Sequence, residues 1–359
     1  MPIQESDSLE LLVRGNAWRG WHSASFRRSL GELASSFSLG LSSRSGSGDQ
    51  DLDVLPGDSV EIRIAGKTVL AGYLDEVSES FSTSGHGLSV SGRSKTGQLV
   101  DCSATSDTGK WAAGTLLGDL AKDVCAPFGI DVKGEGAAKK LDGVVLLESG
   151  ESVNELLSRA CQMVGVVATT SPEGNLLLLD KSAAWKGCGT LDGRTILSID
   201  HTRTLSERFS EYRSRWGVST KQFGSSSRGK QTATATDSCV KIYRPLCLED
   251  DGNGSSAKKR VEAEAIVRAA KSQTLSVSVA GWRAPNGNLW SEGCVVYFSS
   301  VLVGFEGEFL IESAELTRDT SGSVTALSLI RPDALMPVPE VQPQPKVKKA
   351  GKKKELLVW

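Results

Sequence analysis

The sequence predicts a mainly β protein with an α+β insert: two similar antiparallel β-barrels per chain and a small helix-hairpin domain between them. Three observations carry this. One β pattern occurs twice. Pro56-Gly57-Asp58-Ser59-Val60-Glu61-Ile62 leads into Ala71-Gly72-Tyr73-Leu74-Asp75-Glu76-Val77, then a Thr83-Ser84-Gly85 turn and the run Leu88-Ser89-Val90-Ser91. Glu292-Gly293-Cys294-Val295-Val296-Tyr297 leads into Gly307-Glu308-Phe309-Leu310-Ile311, then Thr320-Ser321-Gly322 and Val324-Thr325-Ala326-Leu327. Glycine is abundant, at 38 of 359 residues, and Ser and Thr are frequent, which favours short strands and turns over long helices. Between the repeats the texture changes to apolar residues at helical spacing.

In chain order, Leu9-Glu10-Leu11-Leu12-Val13 opens as a strand, and Ser25–Leu30 and Ser36–Leu39 alternate as half-buried strands do. Ser42–Asp51 reads as a Ser/Gly loop. Val60–Ile64 is a period-two strand that Ala65-Gly66-Lys67 turns back. Trp111, Leu116, Leu117, Leu120 and Val124 suggest a helix stopped by Pro127. Glu151–Val164 is the best helix: Ser152-x-x-Glu155 is a capping box, Val153, Leu156, Leu157, Ala160 and Val164 form one stripe, and Gly165 closes it. Val164–Thr170 and Asn175–Asp180 then form a hairpin. Ile196–Val218 returns to a strand pattern. Phe223–Thr236 is expected to be a flexible loop, having little to bury. Ser256–Lys271 reads as a helix whose Lys258, Lys259 and Arg260 oppose its dipole, so it needs a partner surface. The expected division is 1–101 (first barrel), 102–194 (insert), 195–236 (strands returning to the first barrel, then the loop), 237–331 (helix and second barrel) and 332–359 (a Pro/Lys-rich tail).

Composition excludes several classes. No run of about 18 apolar residues exists, so no membrane span is expected. Met1–Asp7 lacks the basic and apolar regions of a secretory signal. The seven cysteines have no Cys-x-x-Cys spacing and read as reduced core residues. His22, His86 and His201 are scattered, which gives zinc no ligand pattern. The net charge of −2 divides into +4 over Glu340–Trp359 and −6 before it. A mildly acidic body argues against nucleic-acid binding as the main task.

Each candidate site reads better as structure, and no catalytic, cofactor-binding or metal-ligating residue is expected. Gly92–Gly97 and Gly66-Lys67-Thr68 lack the spacing of a phosphate loop. Asp75 and Glu76 are adjacent on a strand and point to opposite faces, so they cannot flank one glycosidic bond. Glu148 and Glu151 read as helix N-terminal charges rather than a carboxylate pair. No Gly-x-Ser-x-Gly elbow is present. Trp282, Trp290 and Tyr297 could stack a sugar, but such aromatics more often fill a barrel or an interface. The lysine tail has three open readings: a solvated end, an anion-binding segment, or a tether docking through Leu356-Leu357-Val358-Trp359.

Two stretches carry a family resemblance. Gly72–Val77 through Ser91-Gly92-Arg93-Ser94-Lys95-Thr96-Gly97-Gln98-Leu99-Val100-Asp101-Cys102-Ser103, and Gly281-Trp282-Arg283-Ala284-Pro285-Asn286-Gly287-Asn288-Leu289-Trp290, resemble the hub protein of Mu-like phage baseplates, the tail protein P family with its T-even-type hub fold. The resemblance spans about residues 5 to 335. It implies a structural homotrimer in the tail baseplate of a virion, made in the host bacterial cytoplasm. Two barrels per subunit would make a ring matching the six-fold tail tube, with a three-fold central spike on the other side. Expected partners are the spike, the tube or tube-initiator protein and other baseplate proteins, with DNA only as cargo through the lumen. Ring contacts of this permanence would bury above ~2,000 Å² each. The alternatives are a cell-wall-degrading tail enzyme and a carbohydrate-binding module.

Overall fold

The computed structural model describes residues 7–43, 54–82, 85–181, 185–191, 193, 195–218, 229–249, 254–300 and 305–335. The chain divides into two compact units, one holding the chain up to Arg208 and again from Ile266 to Val338, the other built on Phe209–Ala265. The fold is mainly β.

The chain opens with seven strands: β1 (Leu9–Val13), β2 (Asn16–Trp18), β3 (Ser23–Ser29), β4 (Ser36–Ser43), β5 (Ser59–Ile64), β6 (Lys67–Ser82) and β7 (Gly85–Ser94). Alternation decides which side chains are buried: Leu9, Leu11 and Val13 of β1 and Val60, Ile62 and Ile64 of β5 enter the core. β5 reverses into β6 through Ala65 and Gly66, both at positive φ (50° and 74°), the conformation a two-residue hairpin turn requires.

The insert contains α1 (Gln98–Asp101), β8 (Lys110–Trp111), α2 (Leu117–Cys125), β9 (Val132–Lys133), β10 (Val145–Leu146), α3 (Val153–Val164), β11 (Val166–Thr170) and β12 (Leu176–Asp180). Its own core joins Leu117, Leu120 and Val124 of α2 to Val153, Leu156, Leu157 and Ala160 of α3 and to Val166 and Leu178 beneath them. The Ser152 hydroxyl accepts from the Glu155 N–H, the Glu155 carboxylate accepts from the Ser152 N–H, and Gly165 ends α3 at φ 68°. Trp111 departs from its expected place in the α2 stripe. It lies in β8, opposite Val145, because α2 begins only at Leu117.

Next come β13 (Lys186–Leu191), β14 (Ile196–Arg203), β15 (Glu211–Val218), β16 (Gly229–Thr236), β17 (Pro245–Glu249), α4 (Gly254–Lys271), β18 (Gln273–Ala280), β19 (Cys294–Ser300), β20 (Phe305–Asp319) and β21 (Gly322–Ile330). In the second unit β15 lies between β16, antiparallel, and β17, parallel. Tyr212, Ala233, Ala257 and Val261 form its core, and Phe209 meets Tyr212 edge-on at 6.0 Å. The loop expected over 223–236 is corrected over 229–236: Lys230-Gln231-Thr232-Ala233-Thr234-Ala235 is polar yet strand-forming once β15 supplies its hydrogen bonds. Residues 223–228 lie outside the described residues, as do 44–51 of the expected Ser/Gly loop, Thr83-Ser84 and the tail from 336.

The expectation of two separate barrels is corrected. Both modules belong to one 13-stranded sheet, ordered β14-β18-β21-β20-β3-β4-β7-β6-β5-β1-β2, with β19 on β20 and β13 on β19. Among the described residues no sheet closes on itself. The join is β20 against β3, from Ser313 opposite Ser29 to Arg318 opposite Ala24. Periodicity identifies strands, but neither neighbour's identity nor closure is written in it. Residues 196–203, expected to return to the first module, pair with β18 of the second. One core runs through both modules, including Phe26, Leu39, Ile62, Trp282, Phe298, Phe309 and Leu316.

The duplication extends to strand register. β6–β7 slips at Leu74/Glu76 and β20–β21 slips at Ile311/Ser313. The two bulges are 237 positions apart, as are the terminal pairs Ser82–Gly85 and Asp319–Gly322. Each module adds the same contact: Gly57 N–H donates to the Leu74 carbonyl at 2.7 Å, and Gly293 N–H to the Ile311 carbonyl at 2.9 Å. Both glycines have positive φ (93° and 75°), so a side chain at either would be strained.

Candidate assembly surface

The matched registers define which strand edges correspond. β18 stands to β21 as β4 stands to β7, and β14 stands to β18 as β3 stands to β4. β3 is covered on its other side by β20, whereas among the described strands β14 is paired with β18. On the opposite flank, residues 76–82 of β6 pair with β7 and with no other described strand, although their counterparts 313–318 of β20 carry β3. One chain therefore has a socket, β6, and a plug, β14, that match the contact it already makes internally.

Hydrogen-bond parity sharpens the match. Thr204 N–H donates to the Ser272 carbonyl at 2.9 Å, on the β14–β18 register. Alternation then directs the N–H groups of Asp200 and Thr202 to β18, and those of Ile199 and Arg203 to the outer edge. In the equivalent strand, Leu30 N–H donates to the Glu312 carbonyl at 2.7 Å, which turns Arg28, Phe26 and Ala24 towards β20. Arg28 corresponds to Arg203 and Ala24 to Ile199, so both strands present the same parity outward.

Asp75, Glu76 and Glu79 line exposed positions of β6; β14 carries both signs, with Asp200 and Arg203 exposed, His201 between them, and Arg203 Nε 3.5 Å from His201 Nε2. Burial and the Arg203 charge hold His201 below the usual histidine range. At the β6 bulge Arg93 binds Asp75 at 2.7 Å and Asp101 at 2.6 Å, and Arg93 holds Asp101 below the ordinary carboxylate range. In the second module Glu312 sits at the same bulge and accepts from the Ser328 hydroxyl at 3.1 Å. Asp75 is thus tied into an ion-pair cluster rather than set opposite a second acid.

The remaining sequence candidates are structural in their contacts. Glu151 accepts from Arg159 at 2.7 Å and 2.8 Å and from the Glu148 N–H at 3.0 Å. Burial opposes its ionisation, but these bonds outweigh burial and hold the carboxyl below the usual range. Its folded pKa being depressed, its contribution is present above the unfolded value and is lost as pH falls through the folded one. Glu151→Gln should cost about 1–2 kcal/mol at neutral pH, and much less once acid has protonated the wild-type residue; chemical denaturation at a series of pH values checks this.

Trp282 is fully buried, donates from Nε1 to the Thr317 carbonyl at 2.9 Å and meets Phe26 edge-on at 6.1 Å. Trp290 is buried also, while Tyr297 is exposed. Two buried indoles offer no stacking face to a sugar. The cavity beside Trp290 is lined by Phe26, Lys67, Leu70 and Leu316 and has no Asp or Glu among its described lining residues. Thr96 and Gly97 are buried, and Gly92–Gly97 runs from β7 into a short 3₁₀ turn. Among the described residues no group of three or more His, Cys, Asp or Glu is arranged to hold a metal ion, and no helix is long and apolar enough to cross a membrane. The strand edges were missed in sequence reasoning; the constant 237-residue spacing of the repeat was the available signal.

This architecture is that of Mu-type tail proteins. It is shared with the 43 kDa tail protein of prophage MuSo2 from Shewanella oneidensis, at TM-score 0.79 and 29% identity over 92% of this chain and 99% of that one. The tail protein of Neisseria meningitidis MC58 shares the fold at TM-score 0.74 and 24% identity, over 94% and 100%. Three family models match in succession: Mu phage baseplate assembly protein GpP-like, N-terminal, at residues 8–94; baseplate hub protein gp44-like, second domain, at 96–180; and Mu phage baseplate assembly protein GpP, fourth domain, at 253–338. Baseplate hub protein gp44 of Escherichia phage Mu is 30% identical over 347 residues, covering 93% of this chain and 90% of that protein. The chain belongs to the baseplate hub family of Mu-like phages and is a hub component of the virion tail.

Proposed function

We propose that the hub works as a homotrimer in which β6 of each copy pairs with β14 of the next. The carrying observation is the register-matched repeat, which leaves these two edges in the relation β20 and β3 already have within the chain. Transferred to that relation, Glu79 faces His201, Val77 faces Arg203 and the backbone of Phe81 faces Ile199. A head-to-tail contact of this kind closes into a ring when the rotation permits. Two modules from each of three copies would then give six related positions towards a six-fold tail tube, and a three-fold face towards a central spike. DNA would pass through the lumen without sequence readout. The role is mechanical and non-enzymatic; the cavity without described carboxylates and the buried indoles favour it over the hydrolase and carbohydrate-binding readings.

The test is the mass of the purified full-length protein by light scattering at micromolar concentration, with axial electron micrographs of the same sample. A particle of three times 38.1 kDa with six-fold-like modulation is expected. A monomer across that range, or clearing of a peptidoglycan zymogram, would overturn the reading.

A further inference from the structure

The cavity beside Trp290 brings apolar walls and guanidinium groups together. Its volume is about 310 Å³, and it lies where β3, the β5–β6 turn, the β11–β12 turn, the loop between β18 and β19, and β20 converge. The walls follow from strand register. Phe26 and Arg28 are two positions apart on β3 and point to one face, and Leu316 of β20 is the partner of Phe26. Leu70 and the buried Trp290 extend the apolar lining. The charges are held from outside. Arg28 is largely buried and donates from Nη2 to Glu292 at 2.7 Å, and the Glu292 side chain is 5% exposed. Among the described residues this is the one hydrogen bond of Arg28, so most of its five N–H donors are left for an occupant. Arg283 is held by Asp7 at 2.8 Å and by the Gly287 carbonyl at 2.9 Å. Neither Glu292 nor Asp7 is among the described lining residues, whereas the exposed Lys67 is. Three cations against two acids leave one net positive charge.

We propose that this cavity binds a medium-chain fatty acid, its carboxylate on Arg28 and its alkyl chain against Phe26, Leu70, Leu316 and Trp290. Charge selects the head group. A planar guanidinium matches a carboxylate with two parallel hydrogen bonds. One net positive charge suits a monoanion, whereas a phosphate monoester carries nearly two charges at neutral pH. An alkylammonium head would meet three cations and no lining acid. Volume selects the chain length. At roughly 30 Å³ for each water-sized group, the cavity takes about ten non-hydrogen atoms, the size of octanoate. That places it at the small end of ligand pockets, which start at about 300 Å³. The occupant would touch β3 and β20, the two strands of the join, and the insert at Pro172. It would therefore brace the modules and the insert against one another.

The test is isothermal titration calorimetry of the full chain with sodium octanoate, octanol and octyltrimethylammonium. Octanoate should bind at one site per chain with a Kd of about 0.1–1 mM, as suits a ligand of this size. Octanol should bind about tenfold more weakly or worse, having lost the charge-assisted bonds, and octyltrimethylammonium should not bind. Arg28→Lys keeps the Glu292 pair but loses the fork, and should weaken octanoate by about tenfold. Leu289→Trp, at a partly buried wall position, fills the cavity and should abolish binding. No saturable heat with octanoate up to about 10 mM, far above that Kd, would overturn the proposal. So would equal binding of all three probes, or octanoate binding unchanged in Leu289→Trp. An apolar pentapeptide amide that binds where octanoate does not would assign the cavity to a protein partner instead. The three probes on the wild-type chain decide the matter even if a variant fails to fold.

Discussion

Arg203→Pro is expected to convert the proposed hub trimer to monomers while leaving the chain folded. Proline lacks an N–H and is tolerated in a strand only where that group faces away from its partner. Parity places the Arg203 N–H on the outer edge of β14, away from β18. The substitution removes one ladder hydrogen bond from the proposed contact, sets the ring of proline against Val77 of the next copy, and deletes a cation diagonal to Glu79. One net hydrogen bond is worth ~0.5–1.5 kcal/mol, and a cross-strand charge pair adds ~0.2–1 kcal/mol. Each contact should weaken by about tenfold or more, and a ring has three of them. Thr202→Pro is the internal contrast. Its N–H faces β18, so it should lower the melting temperature of the monomer itself. Light scattering across a dilution series, with circular dichroism as the folding check, reads both outcomes. A stable trimer of Arg203→Pro would remove β14 from the interface.

Trp282→Ala should be the most damaging single truncation in the body of the hub. The indole is fully buried, its Nε1 is bonded to Thr317 of β20, and its edge-on contact with Phe26 reaches β3. It thus packs on both strands of the join between the modules. The Arg318 guanidinium lies 4.0 Å from its ring and donates to the Asp7 carbonyl at 3.0 Å. Truncation leaves a large cavity and removes this cation–π support, together about 3–5 kcal/mol or slightly more. At about 2–4 °C per kcal/mol the melting temperature should fall by roughly 6–20 °C. Trp290→Phe should cost far less: Trp290 Nε1 is buried with no hydrogen-bond partner among the described residues, so replacing it loses no bond. Differential scanning calorimetry of the two variants checks the ranking; equal losses would refute the account of the join.

Much of the local structure was legible because local chemistry dictates it. Ser152 and Glu155 cap α3 wherever α3 is placed, and the alternation of Val60, Ile62 and Ile64 requires a strand with one buried face. Trp111 failed because a single apolar residue fits either period, and β8 captured it through Val145. Residues 229–236 failed because polar β-formers become a strand only when a partner edge exists.

By itself, then, the sequence determined that this hub protein has two copies of one β module, their turns, and an independently cored insert. These follow from periodicity, capping and turn chemistry, which act over a few residues. Only the tertiary structure decided that the modules join as one sheet through β20 and β3, and that β6 and β14 have edges of matching register. Strand pairing is a contact between segments hundreds of residues apart, and backbone hydrogen bonds carry no side-chain code for their partner.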